Sequence, residues 1–146
     1  MNLHDYRPDG PVVILGSGDL GLIMADQMAK AGLSVTLVER KSTCGGMARN
    51  QRCLAEYPIG LICSDTIAQV HGEKELTGCT TEQGRYLPCR TLLIAAGLRP
   101  ERELVSHLGN PDWLHICGNC HRVQPMVEAV VNEGKQAGKA AYEHMR

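Results

Sequence analysis

The feature that most restricts how this chain can fold is the run Val12-Val13-Ile14-Leu15-Gly16-Ser17-Gly18-Asp19-Leu20-Gly21. Four apolar residues suit a buried parallel strand, and they lead directly into Gly-x-Gly-x-x-Gly. Leu20, Ile23, Met24, Met28 and Ala31 then recur at helical spacing as far as Gly32. The pattern predicts a strand, a tight glycine turn and a helix. In such a unit Gly16 permits the sharp turn, Gly18 lets a pyrophosphate approach the backbone, and Gly21 lets helix and strand pack closely. The free N–H groups of the first helical turn, at the positive end of the helix dipole, face the phosphates.

A second run, Ser34-Val35-Thr36-Leu37-Val38, predicts the next strand and ends at Glu39, eighteen positions after Gly21. An acid there is placed to accept hydrogen bonds from an adenosine ribose. The candidate nucleotide residues are therefore Gly16, Ser17, Gly18, Asp19, Leu20 and Gly21 at the turn, with Glu39 and Arg40 at the end of the second strand. A glycine turn of purely structural use competes with this reading; the flanking strands, the helix and the acid favour a nucleotide. Asp19 requires its side chain to point away from the phosphates, because a carboxylate beside a pyrophosphate repels it.

The 146 residues suffice for one core of ordinary size. Net charge is −1, with no Phe, one Trp and four Tyr, so neither a basic field nor aromatic platforms exist for nucleic acid. No apolar run is long enough to span a membrane. The N-terminus lacks the apolar core of a signal peptide, and seven cysteines without an export signal point to free thiols in a reducing cytoplasm.

Along the chain, residues 1–10 read as a loose lead-in with a turn at Pro8-Asp9-Gly10, and 11–146 as one domain. A helix is expected from Met47 to Tyr57, closed by Pro58, and a third parallel strand at Ile59–Cys63. Segments 66–71, 75–81 and 85–89 predict a three-stranded antiparallel meander, with Gly78 as a bulge. Thr91–Gly97, almost wholly apolar, predicts a strand beside the first and buried on both faces. A short helix around Glu101–Leu108, a strand at Trp113–Cys117 and a turn at Gly118-Asn119 follow. The last helix is expected to start near Pro125, with Val127, Val130, Val131, Gly134, Gly138 and Ala141 facing a sheet. The fold class is thus α/β, a Rossmann-like parallel sheet with helices on both faces and a small antiparallel meander.

Cys117-Gly118-Asn119-Cys120-His121 spells the c-type haem attachment motif, but haem attachment requires export. Inert cytosolic thiols are the expectation for the same pair, with a redox-active dithiol as the alternative. Zinc needs four ligands, and Cys117, Cys120 and His121 give three, so no metal site is expected. The remaining histidines stand singly as packing or surface residues, and Glu101-Arg102-Glu103 is a solvated face. No Ser-His-Asp spacing or carboxylate pair suggests hydrolysis.

The order of these motifs resembles the FAD- and NAD(P)-dependent pyridine nucleotide oxidoreductases, the disulfide-reductase-like flavoproteins. The residues that carry the likeness are Gly16–Ala25, Glu39, Arg49-Asn50 with Cys53-Leu54, Leu87-Pro88-Cys89, Leu92–Pro100 and Ile116-Cys117-Gly118-Asn119. The resemblance implies that 11–100 corresponds to the NAD(P)H domain and 101–146 to the C-terminal tail of the flavin domain. Gly16, Gly18, Gly21, Glu39, Ala96 and Gly97 would line a dinucleotide site, and Gly118-Asn119 would stand at the flavin turn.

There are departures. One glycine motif is present where the family carries two, Asn119 replaces the usual Asp, Ile23 replaces a frequent Glu, and no Cys-x4-Cys pair occurs. The resemblance implies NAD(H), with NADP open because Arg40 and Lys41 offset Glu39. FAD in the same motif is the alternative, since Val35–Arg40 leading to Gly45-Gly46 also matches the start of a flavin domain. The expected function is a dinucleotide-binding module of an FAD-dependent oxidoreductase. It would share its flavin with a partner chain or a second copy, and would pass hydride between nicotinamide and flavin. No residue stands out as acid, base or nucleophile. A non-catalytic nucleotide-binding or assembly module is the competing expectation.

Overall fold

In the computed structural model, which describes residues 7–124 and 126–145, strand β1 (Val12–Leu15) occupies the interior of a four-stranded parallel sheet. On one side it pairs with β2 (Val35–Glu39), Val12 opposite Val35, and β2 pairs with β3 (Gly60–Cys63). On its other side lies β7 (Thr91–Ile94), with Val12 opposite Thr91. Helix α1 (Asp19–Lys30) makes the crossover from β1 to β2. Between β3 and β7 the chain forms a second, antiparallel sheet of β4 (Ile67–His71), β5 (Gly78–Thr81) and β6 (Tyr86–Pro88). All of these belong to one unit, Met1–Gly97; the second unit is Leu98–Arg146.

The alternation of strand side chains explains the two cores. Val12, Ile14, Val35 and Leu37 point to one face, where Leu22, Ala25 and Met28 of α1 and Cys53 of α3 (Cys53–Glu56) cover them. Val13 and Val38 point to the other face and meet Cys79 and Cys89 of the meander. Helices were expected on both faces. Within this unit they occupy one, because the meander supplies the apolar cover of the other.

Several local expectations are corrected. The helix expected over 47–57 is two single turns, α2 (Ala48–Gln51) and α3, meeting at Arg52. The bulge lies in β4, between Ile67 and Gln69, and not at Gly78. Gly78 instead leaves room for Tyr86, whose hydroxyl would stand 2.5 Å from an added Cβ. Strand β7 does pair with β1, but as an edge strand of its sheet it is half-buried, and Ile94 is 70% exposed.

The second unit contains α4 (Glu103–Ser106), a 3-10 turn at Gly118–Cys120 and the helix α5 (Val127–His144). No strand forms at Trp113–Cys117. Its start is taken up by a turn, with the Leu114 amide on the Pro111 carbonyl, and no other strand exists among the described residues of that unit to pair with it. The valine and glycine face of α5 therefore meets no sheet within its unit. Val130 packs near Gly118, and Val127 and Val131 are exposed. The expected helix start at Pro125 and most of the lead-in (residues 1–6) lie outside the described residues.

Leu22 is fully buried at the centre of the helix-side core. Leu22→Ala should cost about 2–5 kcal/mol in denaturant unfolding. The same truncation at its neighbour Ile23, 42% exposed, should cost less than about 1 kcal/mol.

Candidate functional site

The glycine turn between β1 and α1 assigns each glycine a different task. Gly16 has φ +102°, and an added Cβ would lie 2.4 Å from the Ala95 carbonyl oxygen, so the turn is tight against the end of β7. At Gly21 a Cβ would meet the Gly16 carbonyl oxygen at 2.1 Å, and only a bare backbone lets the helix sit so close to the turn. Around Gly18 there is nothing within 4 Å of the Cβ position. One glycine serves the turn, one serves packing, and the third faces open space.

Gly18 is also the N-cap of α1, with no side-chain cap. The first helical bond runs from the Leu22 amide to the Gly18 carbonyl, at 3.0 Å. Upstream, the Gly16 amide bonds Val38 and the Ser17 amide bonds Glu39. The amides of Gly18, Asp19, Leu20 and Gly21 have no partner among the described residues. Four unsatisfied donors at a helix start are a ready anion site.

The turn is held from below by a buried carboxylate. Glu39 Oε2 accepts the Ser17 amide at 2.8 Å and the Ser17 hydroxyl at 2.7 Å, while Oε1 accepts the Lys41 amide at 2.9 Å. Burial pushes the Glu39 carboxyl up. The amide of Lys41, the hydroxyl and amide of Ser17 and the charge of Lys41 together outweigh that and hold it below the usual carboxylate range. Three of about four acceptor positions on the carboxylate are thus taken by the protein.

The loop after β2 is tied to the same turn. The Gly45 amide donates to the Ser17 hydroxyl at 2.8 Å. Asp19 Oδ1 accepts the Met47 amide at 2.7 Å and the Asn50 side-chain amide at 2.6 Å. These bonds keep the Asp19 carboxyl below its usual range, the Met47 bond contributing most. The Asp19 carboxylate is therefore directed at the 47–50 segment.

A cleft of about 350 Å³ opens beside Gly16 and Gly18. Among the residues expected at the site, Gly16, Gly18, Glu39, Arg40, Ala96 and Gly97 line it together. Ser17, Asp19, Leu20 and Gly21 line no part of it; Ser17 and Gly21 are buried and Leu20 is 59% exposed. Gly118 and Asn119 belong to the second unit. Sequence reasoning missed Leu15, Lys41, Thr66 and Ala95 in the lining. Lys41 and Ala95 adjoin residues already singled out, but nothing in the sequence marks Thr66. Asp65 places it: its carboxylate accepts the amides of Thr66 at 2.9 Å and Gln83 at 3.3 Å.

Residues 3–111 match the family described as pyridine nucleotide-disulphide oxidoreductase, and the chain belongs to that family. It is 32% identical over 105 residues to a thioredoxin reductase of Streptomyces clavuligerus, a match that spans 68% of this chain and 33% of the relative. It is 26% identical over 114 residues to a nitric oxide reductase FlRd-NAD(+) reductase of Klebsiella pneumoniae, across 73% of this chain and 29% of the relative. Among solved structures, T. acidophilum thioredoxin reductase superposes with a TM-score of 0.71 at 18% identity, covering 92% of this chain and 52% of that one. The chain spans about a third or less of the length of these curated relatives. No helix among the described residues is long and apolar enough to cross a membrane.

Because the folded state holds Glu39 below its ordinary value of 4.5, its contribution to stability is present above that value and is lost as pH falls through the lower folded value. Asp65 is depressed in the same sense: burial raises it, but the bonds from the Thr66 and Gln83 amides help hold it down. Unfolding free energy should therefore be level near neutrality and fall below pH 4.5. Glu39→Gln should flatten part of that acid limb and cost about 1–3 kcal/mol at pH 7, since whichever way the amide is turned its NH2 faces either the Ser17 donors or the Lys41 amide and accepts neither. Urea titrations at several pH values test both.

Proposed function

We propose that the unit Met1–Gly97 binds NAD(H) with its pyrophosphate on the Gly18–Gly21 amides, as the nicotinamide-nucleotide part of a flavin-dependent oxidoreductase. The observation that carries this is the set of four unpaired amides beside a glycine whose missing side chain opens onto free space. When bound, the nicotinamide supplies a hydride for transfer to a flavin. What this chain supplies is orientation: the amides hold the diphosphate, and Gly16, Ala96 and Gly97 give a wall without bulk. Glu39 keeps one acceptor position for a ribose hydroxyl.

The Klebsiella relative's name includes NAD(+), which favours a nicotinamide nucleotide over FAD. Arg40 and Lys41 both line the cleft and outnumber Glu39 in charge, so a 2′-phosphate is not repelled there and NADP(H) is accommodated. FAD is the second reading, and the packing of Gly45 and Gly46 against Ser17 and Asp19 favours it, since that glycine pair follows the acid as in flavin domains. Gly118 and Asn119 would serve a flavin from the second unit, and the flavin's other contacts would come from a partner chain or a second copy.

Calorimetric titration with NADH, NADPH and FAD distinguishes these readings. NADH should bind the wild-type chain, and Gly18→Val should weaken it at least about tenfold (1.4 kcal/mol) without a matching loss of thermal stability. Equal NADH binding by wild type and Gly18→Val, or tighter binding of FAD at the same site, would overturn the assignment.

A further inference from the structure

Helix α5 carries Glu133, Gln136, Ala137 and Ala140 at spacings of three and four, which makes them neighbours on one face. Together with segment 114–116 and His121 they surround a cavity of about 400 Å³. That is within the range of small-molecule pockets, about 300–1,000 Å³. The whole cavity lies in the second unit, and the nucleotide site uses none of it. Leu114, Ile116, Ala137 and Ala140 are its apolar lining. The alanines, with only a methyl each, leave the space that larger side chains would fill.

The polar part of the lining is held in a definite state. Glu133 Oε2 accepts the Gly118 amide at 2.8 Å, and Oε1 lies 2.5 Å from His121 Nδ1. The His121 bond first, and the Gly118 amide with it, keep the Glu133 carboxyl below its usual range against desolvation. An ionised carboxylate only accepts, so the proton of the His121 bond sits on Nδ1. His121 then has Nε2, an acceptor in the neutral ring, for the cavity that it lines. His115 Nε2 is buried without a hydrogen-bond partner among the described residues, its ring set edge-on to His144 at a centroid distance of 6.4 Å. Such a nitrogen is a standing cost that a ligand's polar atom relieves. Gln136 adds an amide with donors and an acceptor.

We propose that this cavity binds a small phenol, one aromatic ring whose acidic hydroxyl donates to His121 Nε2. An acceptor on His121 calls for a donor on the ligand, and an acidic hydroxyl is a stronger donor than an aliphatic one. The carboxylate on the far side of the imidazole raises its basicity and strengthens that bond. A carboxylate ligand is disfavoured, because it only accepts and would face the charge of Glu133. The ring lies against Leu114, Ile116, Ala137 and Ala140, and a polar substituent on it has His115 Nε2 and Gln136 to bond. The hydroxyl proton is shared and no covalent bond to carbon changes. Glu133 acts through His121 and is a positioning residue.

The full chain is titrated with para-nitrophenol, whose phenolate absorbs visible light, at a pH below that at which the free phenol ionises. Wild type should bind one equivalent, and the bound probe should gain phenolate absorbance as its proton is shared with His121. Para-nitroanisole, the same ring with its hydroxyl methylated, should bind at least about tenfold more weakly. Ala137→Leu, which fills the cavity, should weaken the phenol by at least about tenfold as well. Glu133→Gln should lower the absorbance gained per bound probe, with the chain still folded by circular dichroism. The proposal is wrong if wild type shows no saturable binding, or binds phenol and anisole equally. It is equally wrong if Ala137→Leu binds as wild type does, if Glu133→Gln leaves the absorbance gain unchanged, or if NADH displaces the probe. These outcomes stand whether or not the first unit binds NADH.

Discussion

One buried carboxylate organises the glycine-turn end of the unit Met1–Gly97. Glu39 ends β2 directly beneath the glycine turn, and takes both the amide and the hydroxyl of Ser17 as well as the amide of Lys41. A buried anion is expensive unless its acceptor positions are filled, and here neutral donors from two segments fill most of them. The bonds fix the height of Ser17 relative to the sheet. They thereby fix where Gly18 begins the helix. Ser17 passes the constraint on, since its hydroxyl also accepts the Gly45 amide and brings the loop after β2 against the turn.

This arrangement leaves the helix start open. The two carboxylates nearest the helix start, Glu39 and Asp19, are each turned into the protein, one onto Ser17 and Lys41 and the other onto Met47 and Asn50. Had either pointed outward over Gly18, it would have capped the amides and repelled an incoming diphosphate. The acidity near the turn is thus compatible with an anion site because it is used structurally, and the amides stay available because no side chain of the chain's own is placed to cap them.

The parts of this design that depend on nearest neighbours were readable from residues alone. The strand, turn and helix at 12–30, the next strand to Glu39 and the pairing of the 91–94 strand with the first follow from apolar period and glycine spacing. Even the direction of Asp19 followed from charge. Glu39 was read too simply, because spacing cannot show that Ser17 and Lys41 already occupy most of its carboxylate. Likewise Thr66 reaches the cleft through the bonds of Asp65, a long-range effect without local signature. The expected strand at 113–117 failed for a related reason: five residues with strand propensity need a ladder partner, and propensity carries no information about whether one is present. Gly78 was taken for a bulge when its missing side chain serves Tyr86 across the hairpin, a cross-strand demand that a single segment does not display.

Two of the chain's glycine-containing turns are bonded in opposite ways. At Gly16–Gly21 side chains are withdrawn or tied down so that backbone donors face outward. At Cys117–His121 it is the backbone that is tied down, its Gly118 amide on Glu133 and its Cys120 and His121 carbonyls on Arg102, while the Cys120 side chain is exposed. A turn that binds an anion through its amides must keep them unpaired, whereas the Gly118 amide is already taken by Glu133. The bonding pattern around each turn therefore distinguishes what the turn offers to a partner, and it does so independently of the shared presence of glycine.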